Sequence, residues 1–148
     1  MPKATKQIQT PQPDWLWRYR ATVLRVLDGD TVELLFDQGM GTWSLETCRL
    51  YGMNAAELRR DGGLDAKIAL ETEIEAKATE TGWEGKAVIW VRTIKNRSQS
   101  REIQEKYGRY LVELYITAEE MDRGFIASIK QGMIDNGFAK PYFGIGPN

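Results

Sequence analysis

Between residues 15 and 53 apolar positions gather in three runs, separated by turns of aspartate and glycine. Trp15–Leu27, Thr31–Phe36 and Thr42–Met53 are rich in β-branched and aromatic residues, the mark of half-buried strands. Asp28-Gly29-Asp30 and the run from Asp37 to Gly41 punctuate them as tight turns, and the third strand runs out near Tyr51-Gly52. The pattern predicts a three-stranded meander. The period then changes. From Leu64 to Thr79, residues Ala66, Leu70, Ile74 and Ala78 recur at helical spacing, and Leu64 and Ile68 widen the apolar stripe. Glu71, Glu73, Glu75 and Lys77 fall on the other face, and Gly82 stands where the helix is expected to cap.

Lys86–Thr93 and Arg109–Ile116 read as two further strands, joined by a polar loop from Ile94 to Glu105 that carries Lys95, Arg97 and Arg101. Met121–Asn136 carries Ile126, Ile129 and Met133 at helical spacing, with Gly137 as the expected cap and Pro141 as the end of regular structure. The order is β-β-β-α-β-β-α. Five strands with a helix between the third and fourth is the order of an α+β, mainly β architecture: a five-stranded OB-type Greek-key barrel with two to three helices. Residues 1–13, with Pro11 and Pro13, read as a flexible N-terminal lead-in, and residues 14–148 as one domain.

Composition narrows the chemistry. The chain has 148 residues, 42% hydrophobic and 28% charged, the size and balance of one globular domain. No apolar run approaches the roughly 20 residues of a membrane span, and the N-terminus lacks the apolar core of a secretory signal. A cytoplasmic setting, or a virus-encoded protein acting in a host cytoplasm, is expected, as a monomer and away from membranes. Histidine is absent, which removes Ser-His-Asp and Cys-His catalysis and imidazole-bound zinc. The single cysteine, Cys48, can form neither an internal disulfide nor a thiolate cluster, and beside Arg49 on a strand it reads as a small packing residue. Any metal must bind through oxygen, which favours calcium or magnesium. The net charge is −1, yet residues 61–90 hold seven acids and three bases while residues 91–120 hold five acids and six bases. A local basic site is therefore compatible with a neutral total. Trp15, Trp17, Trp43, Trp83 and Trp90 lie in or beside strands and are expected to pack in the barrel rather than to act as stacking platforms.

Three segments stand out together: Val26-Leu27-Asp28-Gly29-Asp30-Thr31, the run Cys48-Arg49-Leu50-Tyr51-Gly52-Met53-Asn54-Ala55-Ala56-Glu57, and Glu105-Lys106-Tyr107-Gly108-Arg109-Tyr110. Singly each is an ordinary turn, strand or bend. Jointly they resemble the staphylococcal nuclease (thermonuclease) family. Its pattern runs from a strand into D-G-D-T, then R-L opening a strand that ends in a D-x-P-E-like loop, then K-Y-G-R, then a helix ending in Gly-x-Ala. The last of these is Gly137-Phe138-Ala139 here, and the order agrees from about Ala21 to Phe143.

The resemblance implies an OB barrel and a metal-dependent endonuclease that hydrolyses DNA, with RNA as a second candidate substrate, leaving 3′-phosphate ends. It implies Arg49 and Arg109 as the phosphate-binding arginines and Glu57 as the catalytic glutamate. It implies calcium, with another divalent cation as the alternative, held by Asp30, Asn54 and the Ala55 carbonyl. Lys106, Tyr107 and one of Tyr142 or Phe143 fall where the family contacts the nucleotide. Two positions depart from the family. Asn54 stands for a carboxylate, so calcium is expected to bind more weakly than at a two-aspartate site, or with Asp28 compensating. Ala56 stands for proline, which removes a φ restraint from the Glu57 loop. The competing readings are a non-catalytic OB module that binds single-stranded nucleic acid or a protein segment, and a structural protein such as a virion component. Retention of Arg49, Glu57 and Arg109 together favours the enzyme, since a pure binder has no chemical need for all three.

Overall fold

The computed structural model describes residues 17–96, 101–102, 108–124 and 127–142. The predicted barrel is present. The long first strand β1 (Arg18–Asp28) turns through Gly29-Asp30 into β2 (Thr31–Asp37), which turns into β3 (Trp43–Leu50). After a short β4 (Gly52–Ala55) and the helix α1 (Gly63–Lys77) come β5 (Glu80–Thr81), a single 3-10 turn at Trp83–Gly85 and β6 (Ala87–Thr93). A two-residue ribbon, β7 (Lys95–Asn96) with β8 (Arg101–Glu102), leads to β9 (Tyr110–Tyr115), and the chain ends through α2 (Ala118–Arg123), α3 (Ile129–Asp135) and β10 (Ala139–Tyr142). The sheet order β1-β2-β3-β9-β6 closes by a β1–β6 pairing into a five-stranded barrel, with β5 on its edge. All the barrel pairings are antiparallel except β3 with β9. This closure leaves the barrel strands no open edge among themselves.

Alternation accounts for the core. Val32, Leu34 and Phe36 point inward from β2 while Glu33, Leu35 and Asp37 face out. On β9 the alternation disappears because both faces are covered, so Leu111 to Tyr115 are all buried. Helix α1 lays Ala66, Leu70 and Ile74 against the barrel; Leu64 and Ile68, expected to widen that stripe, are instead about half exposed at 56% and 48%. The helix is capped at Ala78 rather than Gly82, because the chain extends at once into β5, a strand too short to register in the pattern.

Three other elements differ from expectation. The third strand breaks at Tyr51, where Gly52 takes φ +88 and sends β4 away from the barrel to pair with β10. Pro141 therefore sits inside a strand, tolerated because among the described residues this ribbon has two members and each is an edge. The last helix is two, separated after Arg123 by Gly124 at φ +86. Asn136 caps α3, and Gly137 follows in the left-handed region, donating to the Ile134 carbonyl while Phe138 donates to Met133. No helix among the described residues is long and apolar enough to cross a membrane. The tryptophans are not core residues: Trp43 and Trp83 are more than half exposed, Trp17 and Trp90 are half-buried, and Trp15 lies outside the described residues. Arg97, Ile126, the side chains of Lys95 and Arg101, and the lead-in 1–13 also lie outside them.

Cys48 is fully buried in the core, and burial pushes its thiol up to about 12. Native protein at pH 8 is thus expected to resist iodoacetamide and to alkylate once unfolded in urea, as mass spectrometry would read; rapid native alkylation would contradict this packing.

Candidate active site

The barrel brings the ends of three neighbouring strands together. Thr31 at the start of β2 is paired with Arg49 on β3, and Arg49 is paired in parallel with Leu111 on β9, two residues beyond Arg109. The Leu50 amide donates to the Asp30 carbonyl at 2.8 Å, so the Asp-Gly-Asp turn is tied directly to the end of β3. The turn also packs on the helix. A Cβ at Gly29 would come within 2.6 Å of the Ala66 side chain and 2.7 Å of Ala55, so only glycine fits there.

Asp30 is almost buried and fully engaged. Its Oδ1 accepts from the Thr31 hydroxyl at 3.0 Å and its Oδ2 from the Ala55 amide at 3.1 Å, which anchors the turn to β4. Arg49, 7% exposed, points Nη2 at the Asn54 side-chain oxygen and lies 3.9 Å from Asp30 Oδ2. Its Cζ stands 5.8 Å from the centre of the Tyr142 ring, so β10 supplies a wall of the site. Arg109 reaches to 3.5 Å of the Thr31 hydroxyl, which itself donates to Asp30; that threonine links the second arginine to the aspartate.

Glu57 is placed by its loop rather than by its neighbours in the site. The Arg60 amide donates to the Glu57 carbonyl and the Gly63 amide to the Arg60 carbonyl, both at 2.9 Å. A Cβ at Gly63 would collide with the Glu57 carbonyl. These turns restrain the loop that Ala56 leaves without a proline. The Glu57 carboxylate is exposed and engages Arg59 Nε at 3.1 Å and Arg60 Nε at 3.5 Å. The hydrogen bond from Arg59, then the charges of Arg59 and Arg60, hold its carboxyl below the usual range.

A cavity of about 570 Å³ opens at this end of the barrel. Its walls carry Asp30, Arg49, Asn54, Ala55, Glu57 and Arg109, all singled out from the sequence, together with Asp28, Ala56, Leu58, Arg59 and Arg60. Four guanidiniums thus face three carboxylates. Arg59, Arg60 and Thr31 escape the sequence reading as site residues, although the threonine is part of D-G-D-T and the arginine pair follows Glu57 directly. Lys106, Tyr107 and Phe143 lie outside the described residues. A groove of about 530 Å³ between Trp43 and Trp83 sits at the other end of β1, around Arg20, and gathers no comparable set of charges.

Asp28 Oδ1 accepts from the Asp30 amide at 3.2 Å, and the two carboxyls interact. Burial first, then the hydrogen bond and the charge of Asp28, push Asp30 up to about 6. The folded state therefore holds this proton more tightly than the unfolded chain does. The contribution of Asp30 to stability is most favourable below its unfolded pKa near 4 and is lost as pH rises through 6, a difference of roughly 2–3 kcal/mol. Asp30→Asn is accordingly expected to raise Tm at pH 8 in chelator, with a smaller gain at pH 5. Equal gains at both pH values in thermal melts would refute the assignment.

Two adjacent carboxylates whose repulsion a cation would relieve, with only oxygen donors nearby, fit a hard divalent ion. Among the described residues no group of three or more carboxylate, cysteine or histidine ligands is gathered to hold a metal, so an ion here would lean on Asp28, Asp30, main-chain oxygen and water. No protein-family model and no curated protein matches this chain.

Proposed function

We propose that the protein is a calcium-dependent phosphodiesterase that cleaves DNA, and RNA as a second substrate, at the Arg49–Glu57–Arg109 end of the barrel. The observation that carries this reading is the convergence on one cavity of two arginines, one on β3 and one just before β9, a carboxylate pair and a separate exposed glutamate. The motif resemblance to the staphylococcal nuclease family and the closed barrel support it.

Arg49 and Arg109 each offer a planar fork to the non-bridging oxygens of a phosphodiester. Donors already aimed at those oxygens stabilise the charge that grows on them in the transition state more than they stabilise the ground state. Glu57, free to turn into the cavity once a phosphate draws off Arg59 and Arg60, orients a water and takes its proton. Attack by that water on phosphorus breaks the bond to the 5′-oxygen, which leaves as the alcohol after taking a proton from solvent, and the phosphate stays on the 3′-oxygen. Calcium bound at Asp28 and Asp30 would supply Lewis-acid polarisation of a phosphoryl oxygen. Tyr142, whose ring lies 5.8 Å from Arg49 Cζ, would stack on a base.

Incubating end-labelled single-stranded DNA, duplex DNA and RNA with the protein in calcium, magnesium or chelator tests the proposal. Calcium-dependent products that end in 3′-phosphate are expected. Full cleavage in chelator would remove the cation from the account. DNA binding without products would favour the non-catalytic OB module.

A further inference from the structure

We infer that Asn54 is a positioning residue for Arg49: its side-chain oxygen fixes that guanidinium across the cavity, at a position where the resemblance implies a metal ligand. Its catalytic consequence rests on the phosphodiesterase reading, whereas the contact itself does not.

Arg49 is 7% exposed, and a guanidinium with so little water needs acceptors at fixed places. The Nη2 hydrogen bond goes to Asn54 Oδ1. Asp30 Oδ2, at 3.9 Å, is beyond hydrogen-bond length and acts on the same group by charge alone. Asn54 is itself held from several directions. Its strand β4 pairs with β10, Asn54 opposite Lys140. The start of β4 hangs on the buried Lys130 Nζ, which donates to the Tyr51 carbonyl at 3.0 Å. The following residue, Ala55, is bonded to Asp30. The amide thus belongs to a ribbon fastened to β10, to Lys130 and to Asp30, which is what an acceptor that sets another side chain's direction requires.

The choice of amide follows from electrostatics. A neutral acceptor sets the direction of the fork without cancelling its charge. A carboxylate at 54 would join Asp30 in neutralising Arg49 and would compete with an incoming phosphate. A divalent cation is drawn to the charged oxygens of Asp28 and Asp30, whereas Asn54 Oδ1 is neutral and already accepts from Arg49 Nη2. The division of labour that results gives Asp28 and Asp30 to the cation and Asn54 to the arginine.

The test reads Arg49 directly. In arginine-labelled protein, the Arg49 Nε–Hε and Nη resonances are expected to be dispersed and slow to exchange. Exposed Arg123 serves as the internal control for a solvent-facing guanidinium. Asn54→Ala is expected to broaden the Arg49 signals and move them toward the Arg123 position, and Asn54→Asp, which keeps an acceptor in the same place, to retain them. Calcium affinity by calorimetry should change less than about twofold in Asn54→Ala, while kcat on DNA falls about tenfold and KM much less. If Asn54→Ala does not fold, Asn54→Ser, too short to reach, is read the same way. Arg49 signals unchanged in the alanine or serine variant would overturn the inference, as would a tenfold or greater loss of calcium affinity. A wild type that neither binds calcium nor cuts DNA would end the phosphodiesterase reading, and the Arg49 signals would still decide the role of Asn54.

Discussion

Arg109→Ala is expected to lower kcat on DNA by about 10²–10³-fold, roughly 3–4 kcal/mol of transition-state stabilisation, with a much smaller rise in KM. Loss of one preorganised donor removes an interaction that strengthens as charge develops, and the neighbouring Arg49, pinned by Asn54 and Asp30, cannot swing over to replace it. Arg109→Lys should recover little of the rate, because an ammonium offers a point charge where the phosphate wants a fork. Glu57→Gln should cost about 10²–10⁴-fold through the lost proton acceptor. The double variant is expected to fall well short of the product of the two losses, since residues that act on one transition state are not additive. Both substitutions touch partly or wholly exposed side chains, so thermal melts should stay close to wild type. Rates that scale with lost stability, or an Arg109→Ala enzyme with wild-type kcat, would show that the chemistry lies elsewhere.

The largest effect on stability is expected at Lys130. Its Nζ is buried on α3, donating to Glu113 Oε2 at 3.1 Å and to the Tyr51 carbonyl at 3.0 Å, and it lies 5.5 Å from the Tyr51 ring centre. Tyr115, fully buried, donates its hydroxyl to the other Glu113 oxygen at 3.0 Å. Burial, followed by the Glu113 charge, pushes the Tyr115 hydroxyl pKa well up, so it remains a donor at every working pH. This network fastens the last helix to β9 and to the bend before β4. Lys130→Met leaves the Glu113 carboxylate buried with one donor fewer and should cost about 3–5 kcal/mol, or roughly 10 °C or more in Tm for a chain of this length. Lys130→Met combined with Glu113→Gln removes the stranded charge and should recover most of that loss. Urea titrations of the two single and one double variant check this, and strictly additive losses would rule out the ion pair as the reason both groups are buried.

Much of the barrel is legible in the sequence because its strands obey simple rules. Thr31–Phe36 is rich in β-branched and apolar residues, and turns containing aspartate and glycine set its ends, so β2 falls within a residue of its predicted span. The α1 stripe at Ala66, Leu70 and Ile74 is likewise read correctly, since one face of it meets the barrel. Where prediction departs, tertiary contacts decide. Nothing local tells that Gly52 turns the third strand away to meet a C-terminal partner, or that Leu64 and Ile68 fall outside the contact with the barrel. A glutamate amid the apolar run Tyr110–Tyr115 signals a buried partner, but only the fold shows that the partner is Lys130.

The site divides in the same way. Asp30, Arg49, Asn54 and Ala55 are legible through joint motifs, and they meet because strand register brings them together. Their roles toward one another are not legible: spacing does not show that Asn54 serves Arg49, that Thr31 bridges Asp30 and Arg109, or that Arg59 and Arg60 hold Glu57. Those depend on which way side chains turn at the mouth of the barrel.

The most direct test of the phosphodiesterase reading is single-turnover cleavage of a fluorogenic single-stranded oligonucleotide at mildly alkaline pH. The wild type would be run in excess calcium and in chelator, beside Glu57→Gln and Arg109→Ala in calcium. Cleavage by the wild type in calcium alone, with both variants slowed at least a hundredfold, is expected. Saturable DNA binding by the folded wild type without cleavage in calcium, or cleavage equally fast in both variants, would contradict the reading.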